Sequence, residues 1–168
     1  MSEPREPQGW EELARGAAQG AVTPEESVLL HELLVFTLNG DPYAVAVERV
    51  REIVRLRPIT PVPRVPDAIR GVISLRGEVV QVIDLRRRIG LPPMEPTRST
   101  RIVVLHGEDG RLSGLLVDAV SEVLRVTEDR LRPDGPGDAA TVAGLCVRGD
   151  QYVSLVDLDR VLELGDER

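Results

Sequence analysis

The residues most able to do chemistry are few and scattered. His31 and His106 are the two histidines of the 168-residue chain, and neither sits in an HxxxH or CxxC context. A metal site would need such ligands brought together on one element, so none is expected. Cys146 is the single cysteine, which excludes an intrachain disulfide. It lies in "GLCV", an apolar stretch, and reads as a buried small hydrophobe rather than a nucleophile. Ser74, Ser113 and Ser154 fall in strand-like runs without a base nearby in sequence. "DLD" at 157–159 resembles a cation motif, but a helix cap and a solvent-facing acid account for it. No G-x-S-x-G or phosphate-cradling glycine loop occurs. No catalytic residue and no cofactor is therefore assigned.

One side chain is out of keeping with its neighbours. In "GVISLRGEVVQVIDL", residues 71–85, apolar runs lead into and out of Arg76–Gly77. A permanent cation thus stands at the tip of a hairpin whose flanks want burial. A guanidinium offers five donors in a planar fork, suited to bidentate recognition. Two readings stand: contact with a partner, or an internal ion pair with Asp84 or Glu78.

The elements that carry these residues are short and β-branched. Apolar residues make up 42% and aromatics 2% (Trp10, Phe36, Tyr43 and Tyr152), so the core must come from Val, Leu and Ile. A chain of this length buries roughly 70% of its unfolded surface and needs no staple. Net charge is −7, and every basic residue is Arg. An acidic chain with few stacking rings is not a general nucleic-acid binder. No apolar run approaches the ~18 residues of a membrane span and no signal peptide opens the chain, so the expected compartment is the cytoplasm.

A repeat organises the chain. "VERVREIVRL" at 47–56 and "VDAVSEVLRV" at 117–126 share one pattern, offset by 117 − 47 = 70 residues. "RGEVVQVIDL" and "RGDQYVSLVDL" pair Arg76 with Arg148 and Asp84 with Asp157, offsets of 148 − 76 = 72 and 157 − 84 = 73. The duplicated unit has about 70 residues. The first unit offers strands at "LVFTL", "YAVAV", "EIVRL", "GVISL" and "VVQVI". The second offers "RIVVL", "LSGLLV", "EVLRV", "AGLCV" and "YVSLV". Five strands per unit point to one small barrel or curled sheet per unit, the two packed side by side. Asn39–Gly40 is a hairpin turn, and the prolines at 58, 61, 63 and 66 keep that segment extended. "PDAIRG" reads as one helical turn stopped by Gly71, 130–138 as a loop, and 158–164 as a short amphipathic helix capped by Asp157. Residues 1–30 form a leader, disordered or weakly helical; 31–168 form the folded part, with halves at about 33–95 and 100–164.

"PDAIRGVISLRGEVVQVIDLRRRIGLP" resembles the CheW family, the adaptors of bacterial chemosensory arrays. The family pattern runs Gly-Val-x-Asn-Leu-Arg-Gly, an apolar run, Pro-Val and Asp-Leu-Arg. Gly71, Val72, Leu75, Arg76, Gly77, Val82, Asp84, Leu85 and Arg86 match it. "GDPYAVAVERVREIV" and "GLLVDAVSEVL" resemble its two other hallmarks, and the similarity spans about 33–164. Ser74 replaces the usual Asn and Gln81 the usual Pro.

The resemblance implies a mainly β fold of two packed five-stranded barrels of the Src-homology kind, with short helices at their corners and C-terminus. It implies a non-enzymatic adaptor joining the cytoplasmic tip of chemoreceptors to the regulatory domain of a CheA-type histidine kinase. An adaptor of a non-flagellar pathway is the alternative; a ligand-sensing or enzymatic barrel is a third reading. By the same resemblance Arg76, Glu52, Val50 and Ser74 are partner-binding residues, with Arg76 near the groove between the barrels. Arg86, Arg87 and Arg88 read as a solvated helix face, or as steering toward an acidic partner.

Overall fold

A computed structural model describes residues 30–107, 109–133 and 141–163. The leader lies outside them except for Leu30, which opens the first strand. The elements of the first unit are β1 (Leu30–Leu38), β2 (Asp41–Ala46), β3 (Val50–Arg55), β4 (Ile69–Leu75), β5 (Glu78–Asp84) and a one-turn helix α1 (Leu85–Arg88). The second unit supplies β6 (Arg101–His106), β7 (Leu112–Val117), β8 (Ala119–Thr127), β9 (Leu131–Arg132), β10 (Val142–Arg148), β11 (Gln151–Val156) and α2 (Leu158–Val161). All ten expected strands form. The eleventh, β9, is two residues long and falls where a loop was expected.

The strands do not partition by unit, contrary to the expectation of one barrel per repeat. The first sheet runs β8-β1-β2-β11-β10-β9 and the second β3-β6-β7-β5-β4. Each unit thus lends its opening hairpin to the other unit's closing strands. Each sheet joins the units at two places, one parallel (β2 with β11, β5 with β7) and one antiparallel (β1 with β8, β3 with β6). Five short strands read alike whichever neighbours they choose. The crossing itself is set by the 3₁₀ turn Val47–Arg49 and by Asp118, which carry the chain from one sheet to the other.

Burial follows from that exchange. In β1, Leu33 and Val35 face a cluster inside the first sheet with Ala44, Val126, Cys146 and Val153. Leu34, Phe36 and Leu38 face the opposite way, into a cluster shared by both sheets. In β6, Ile102 and Val104 fill the second sheet's interior, while Val103 and Leu105 join the shared cluster. Strands buried on both faces read as continuous apolar runs. The core therefore has three parts: one within each sheet and one between them. Gly114 in β7 belongs to the second interior; a Cβ there would stand 2.5 Å from Ile102 Cγ2.

Both sheets are curled. β3 and β4 are the two edges of the second sheet, yet Thr60, five residues past β3, bridges Val72 of β4 through two backbone hydrogen bonds of 2.9 Å. Gly71 makes this contact possible. Its φ is +141°, and a Cβ would lie 2.1 Å from the Thr60 carbonyl oxygen. The expected helical turn ending at Gly71 is absent. A single turn at Asp67–Ala68 leads directly into β4, and Gly71 sits within the strand beside a bulge. The Asn39–Gly40 turn is as expected, with φ of 56° and 84°. Helix α2 also forms, capped by Asp157, whose carboxylate accepts from Arg160 N at 3.2 Å.

Candidate partner-binding surface

Arg76 and Gly77 are the two loop residues between Leu75 and Glu78, which face each other across β4 and β5. Their φ values, 54° and 82°, are both positive, the requirement of the tightest hairpin turn. Glycine meets that condition freely; arginine does so at a cost that the flanking strands must cover. The Arg76 side chain that this turn presents is 71% exposed.

Its carboxylate partner is neither Asp84 nor Glu78. Arg76 Nη2 donates to Glu52 Oε1 at 3.0 Å, and Arg51 Nη1 takes Glu78 at 2.6 Å. Both pairs join β3 to the β4–β5 tip, across the seam that Thr60 and Val72 close farther along. Arg57 Nη1 donates to the Ser74 carbonyl at 3.5 Å on the same seam. Glu52 is 22% exposed, so the pair is open to water on the arginine side and contributes at most about 1 kcal/mol. Three of the expected residues, Arg76, Glu52 and Ser74, thus share one seam. Val50 begins the same strand, but its half-buried side chain packs against the cluster between the sheets.

The repeat reproduces this construction. Arg148, the counterpart of Arg76, bonds Glu122, the counterpart of Glu52. Exposed apolar residues flank both pairs at equivalent places: Ile53 and Val79 in one unit, Val123 and Tyr152 in the other, with Val79 at 68% and Tyr152 at 59%.

A cavity of about 570 Å³ opens where α2 meets the second sheet, lined by Arg49, Gln81, Arg111, Ser113, Asp159 and Leu162 among others. Arg76 does not line it. Asp159 pairs with Arg49 there at 3.6 Å, which accounts for the second acid of "DLD".

Arg86 also corrects the sequence reading. It is not on a solvated face; its side chain is 7% exposed. Nη1 donates to Asp118 Oδ2 at 2.6 Å, Nη2 to Asn39 Oδ1 at 3.3 Å and Nε to the Pro92 carbonyl at 2.8 Å. Asn39 N–H donates to the same Asp118 oxygen at 2.8 Å. This network ties α1 to the β1–β2 turn and to the crossing at Asp118. Asp84 orients the helix by accepting from the backbone N–H of Arg86 and Arg87 and from Arg70. The available signal was a broken repeat. Position 159, equivalent to 86 by the 73-residue offset, holds Asp, and Arg49 opposes it.

His31 meets Glu128 at 2.6 Å on the surface. Burial pushes the Cys146 thiol up from its ordinary 9.0, partly offset by the Arg130 and Arg148 charges. The Tyr43 phenol is raised by burial and by Asp41. No group of three His, Cys, Asp or Glu that could hold a metal ion occurs among the described residues.

Each unit thus carries an ion-paired hairpin tip with exposed apolar residues beside it. The CheW-like domain family matches residues 32–165, and the chain belongs to that family. The chemotaxis protein CheW of Klebsiella aerogenes is 35% identical over 136 residues, covering 78% of this chain and 81% of that protein. The crystal structure of scaffolding protein TtCheW from Thermoanaerobacter tengcongensis superposes with a TM-score of 0.75 at 31% identity, over 82% of this chain and 95% of that one. Protein FrzA of Myxococcus xanthus is 32% identical over 143 residues, 82% of this chain and 88% of FrzA. Proteins of this family are scaffold adaptors, not enzymes.

Proposed function

We propose that this chain couples chemoreceptors to a CheA-type histidine kinase within a chemosensory array. It does so by holding the receptors' cytoplasmic tips and the kinase's regulatory domain together. Family membership supports the reading, and the observation that carries it is the Arg76 tip. An exposed cation on a strained two-residue turn, bound to its carboxylate on one side only, keeps donors for a partner. Glu52 orients it, Ser74 stands exposed beside it, and Val50 offers the uncovered half of its side chain. The working compartment is the cytoplasm, with recruitment to the array. Neither nucleic acid nor insertion into the bilayer enters; no helix of the described residues is long and apolar enough to cross a membrane.

Reconstitution tests this. Receptor-bearing membranes and the host's kinase are mixed with and without the chain, and kinase autophosphorylation is followed as receptor ligand is added. Ligand-responsive output only when the chain is present is expected; output indifferent to the chain would overturn the proposal. Similarity to FrzA, a relative not named for chemotaxis, favours a second reading: service to a pathway with an output other than flagellar rotation. Pull-downs against each kinase of the host separate the two.

A further inference from the structure

We propose that the cavity of about 570 Å³ beside α2 takes an arginine side chain of a partner protein. It goes beyond the coupling role, since none of Arg76, Glu52, Val50 and Ser74 lines it. The duplication shows why the space is there. Gln81 and Ser113 are directly opposed across the parallel pair β5 and β7. Their equivalents, Ser154 and Tyr43, are opposed in the same way across β11 and β2 (154 − 81 = 73 and 113 − 43 = 70). Tyr43 stacks on Phe36 at 6.3 Å and packs against the cluster between the sheets. Ser113 has no ring to put in the matching place, and the cavity opens beside it.

The two short helices differ in the same sense. Arg86 of α1 is buried against Asp118 at 2.6 Å. Its equivalent in α2 is Asp159 (159 − 86 = 73), which meets Arg49 at 3.6 Å and is 70% exposed. The first helix brings its own guanidinium to a carboxylate. The second brings a carboxylate to the mouth of a cavity.

The lining selects the occupant. Arg111 is taken by Asp109 at 2.9 Å and Arg49 by Asp159, whereas Glu163 has no ion pair among the described residues. The mouth therefore keeps negative charge, which repels an anion. The half-buried side chains of Gln81 and Ser113 hydrogen-bond nothing among the described residues and offer two neutral oxygens. Leu112 and Leu162 add apolar wall. A guanidinium carries five donors and no acceptor, on an alkyl stem that lies along apolar surface. It can meet acceptors spread around a wall, whereas an ammonium concentrates its donors at one point. The volume lies within the roughly 300–1,000 Å³ of ordinary binding pockets.

The test uses the full chain and follows the backbone amide resonances of Gln81 and Ser113. The probe is arginine capped as its N-acetyl amide. The control is the equally capped citrulline, which keeps the shape and loses the charge. Saturable shifts are expected with capped arginine, half-complete on the order of 1 mM, the scale for so small a ligand. Citrulline should bind at least about tenfold more weakly, because its contacts are no longer charge-assisted. Asp159→Asn with Glu163→Gln should weaken arginine about tenfold. Ser113→Tyr, which supplies the ring that the other half carries, should abolish binding; if it fails to fold, the exposed acidic pair decides. Absence of a saturable shift, an equal response to citrulline, or binding unaltered in the folded variants would each overturn the proposal. Uncapped arginine binding over tenfold more tightly than the capped form would do so too, since the site would then serve the free amino acid. These readouts involve neither receptor nor kinase, so failure here leaves the coupling role standing.

Discussion

Replacing Arg86 by Ala probes the strut that the repeat does not share. The guanidinium is 7% exposed and loses three acceptors at once: Asp118, Asn39 and the Pro92 carbonyl. Removing one member of a buried ion pair costs roughly 3–5 kcal/mol, because the other charge is stranded. Asp118 keeps the Asn39 N–H and is 15% exposed, which places the loss near the lower bound, about 3 kcal/mol. For a domain of this size each kcal/mol moves the melting temperature by about 2–4 °C, so a fall on the order of 10 °C follows. Arg87→Ala is the control. Its pairs, at 3.5 and 3.8 Å, are loose, and Asp67 is fully open to water. That variant should melt within about 3 °C of the parent. Calorimetry of the two, with Asp118→Ala and the double variant, measures the coupling. Equal melting of Arg86→Ala and Arg87→Ala would refute the claim that the strut braces the sheets.

Gly114→Ala should destabilise by about 1–3 kcal/mol, since the new methyl meets Ile102 and Val80 inside the second sheet; urea melts measure it. Gly71→Ala should be worse, because the clash is with backbone at Thr60 and φ is +141°; little soluble folded protein is expected, and normal yield and melting would count against the bridge. Burial raises Cys146 and Tyr43 above their ordinary 9.0 and 10.0, so the unfolded chain releases these protons first. Their contribution is complete below about pH 9 and is lost as pH climbs through the raised values. The urea midpoint should therefore hold up to about pH 9 and fall as pH rises above it, less steeply in Cys146→Ala; a flat midpoint above pH 9 would contradict the assignment.

Strands and turns were legible because their signals are local. Asn39–Gly40 declares its turn, alternating β-branched runs declare strands, and Asp157 declares the cap of α2. Partner choice among strands was not, because β3 and β8 carry the same pattern whichever sheet receives them. The seam was half legible. The duplication pairs Arg76 with Arg148 and Glu52 with Glu122, but that each arginine bonds its own unit's glutamate depends on sheet curl, which no single segment encodes. Arg86 was misread for a related reason. Three consecutive arginines look solvated, and only the fold brings Asp118 and Asn39, 32 and 47 residues away, to the first of them. Gly71 was assigned to a helix end because a glycine after a short turn has the same local signature as one beneath a crossing strand.

The coupling account stands or falls most directly on Arg76→Ala, followed by co-sedimentation with receptor–kinase assemblies and by calorimetry on the same preparation. The Glu52 pair is solvent-exposed, so melting should shift by no more than about 4 °C, while recovery in the pellet drops about tenfold. Wild-type recovery of a protein whose melting temperature has collapsed would show that the hairpin tip only clasps the sheet.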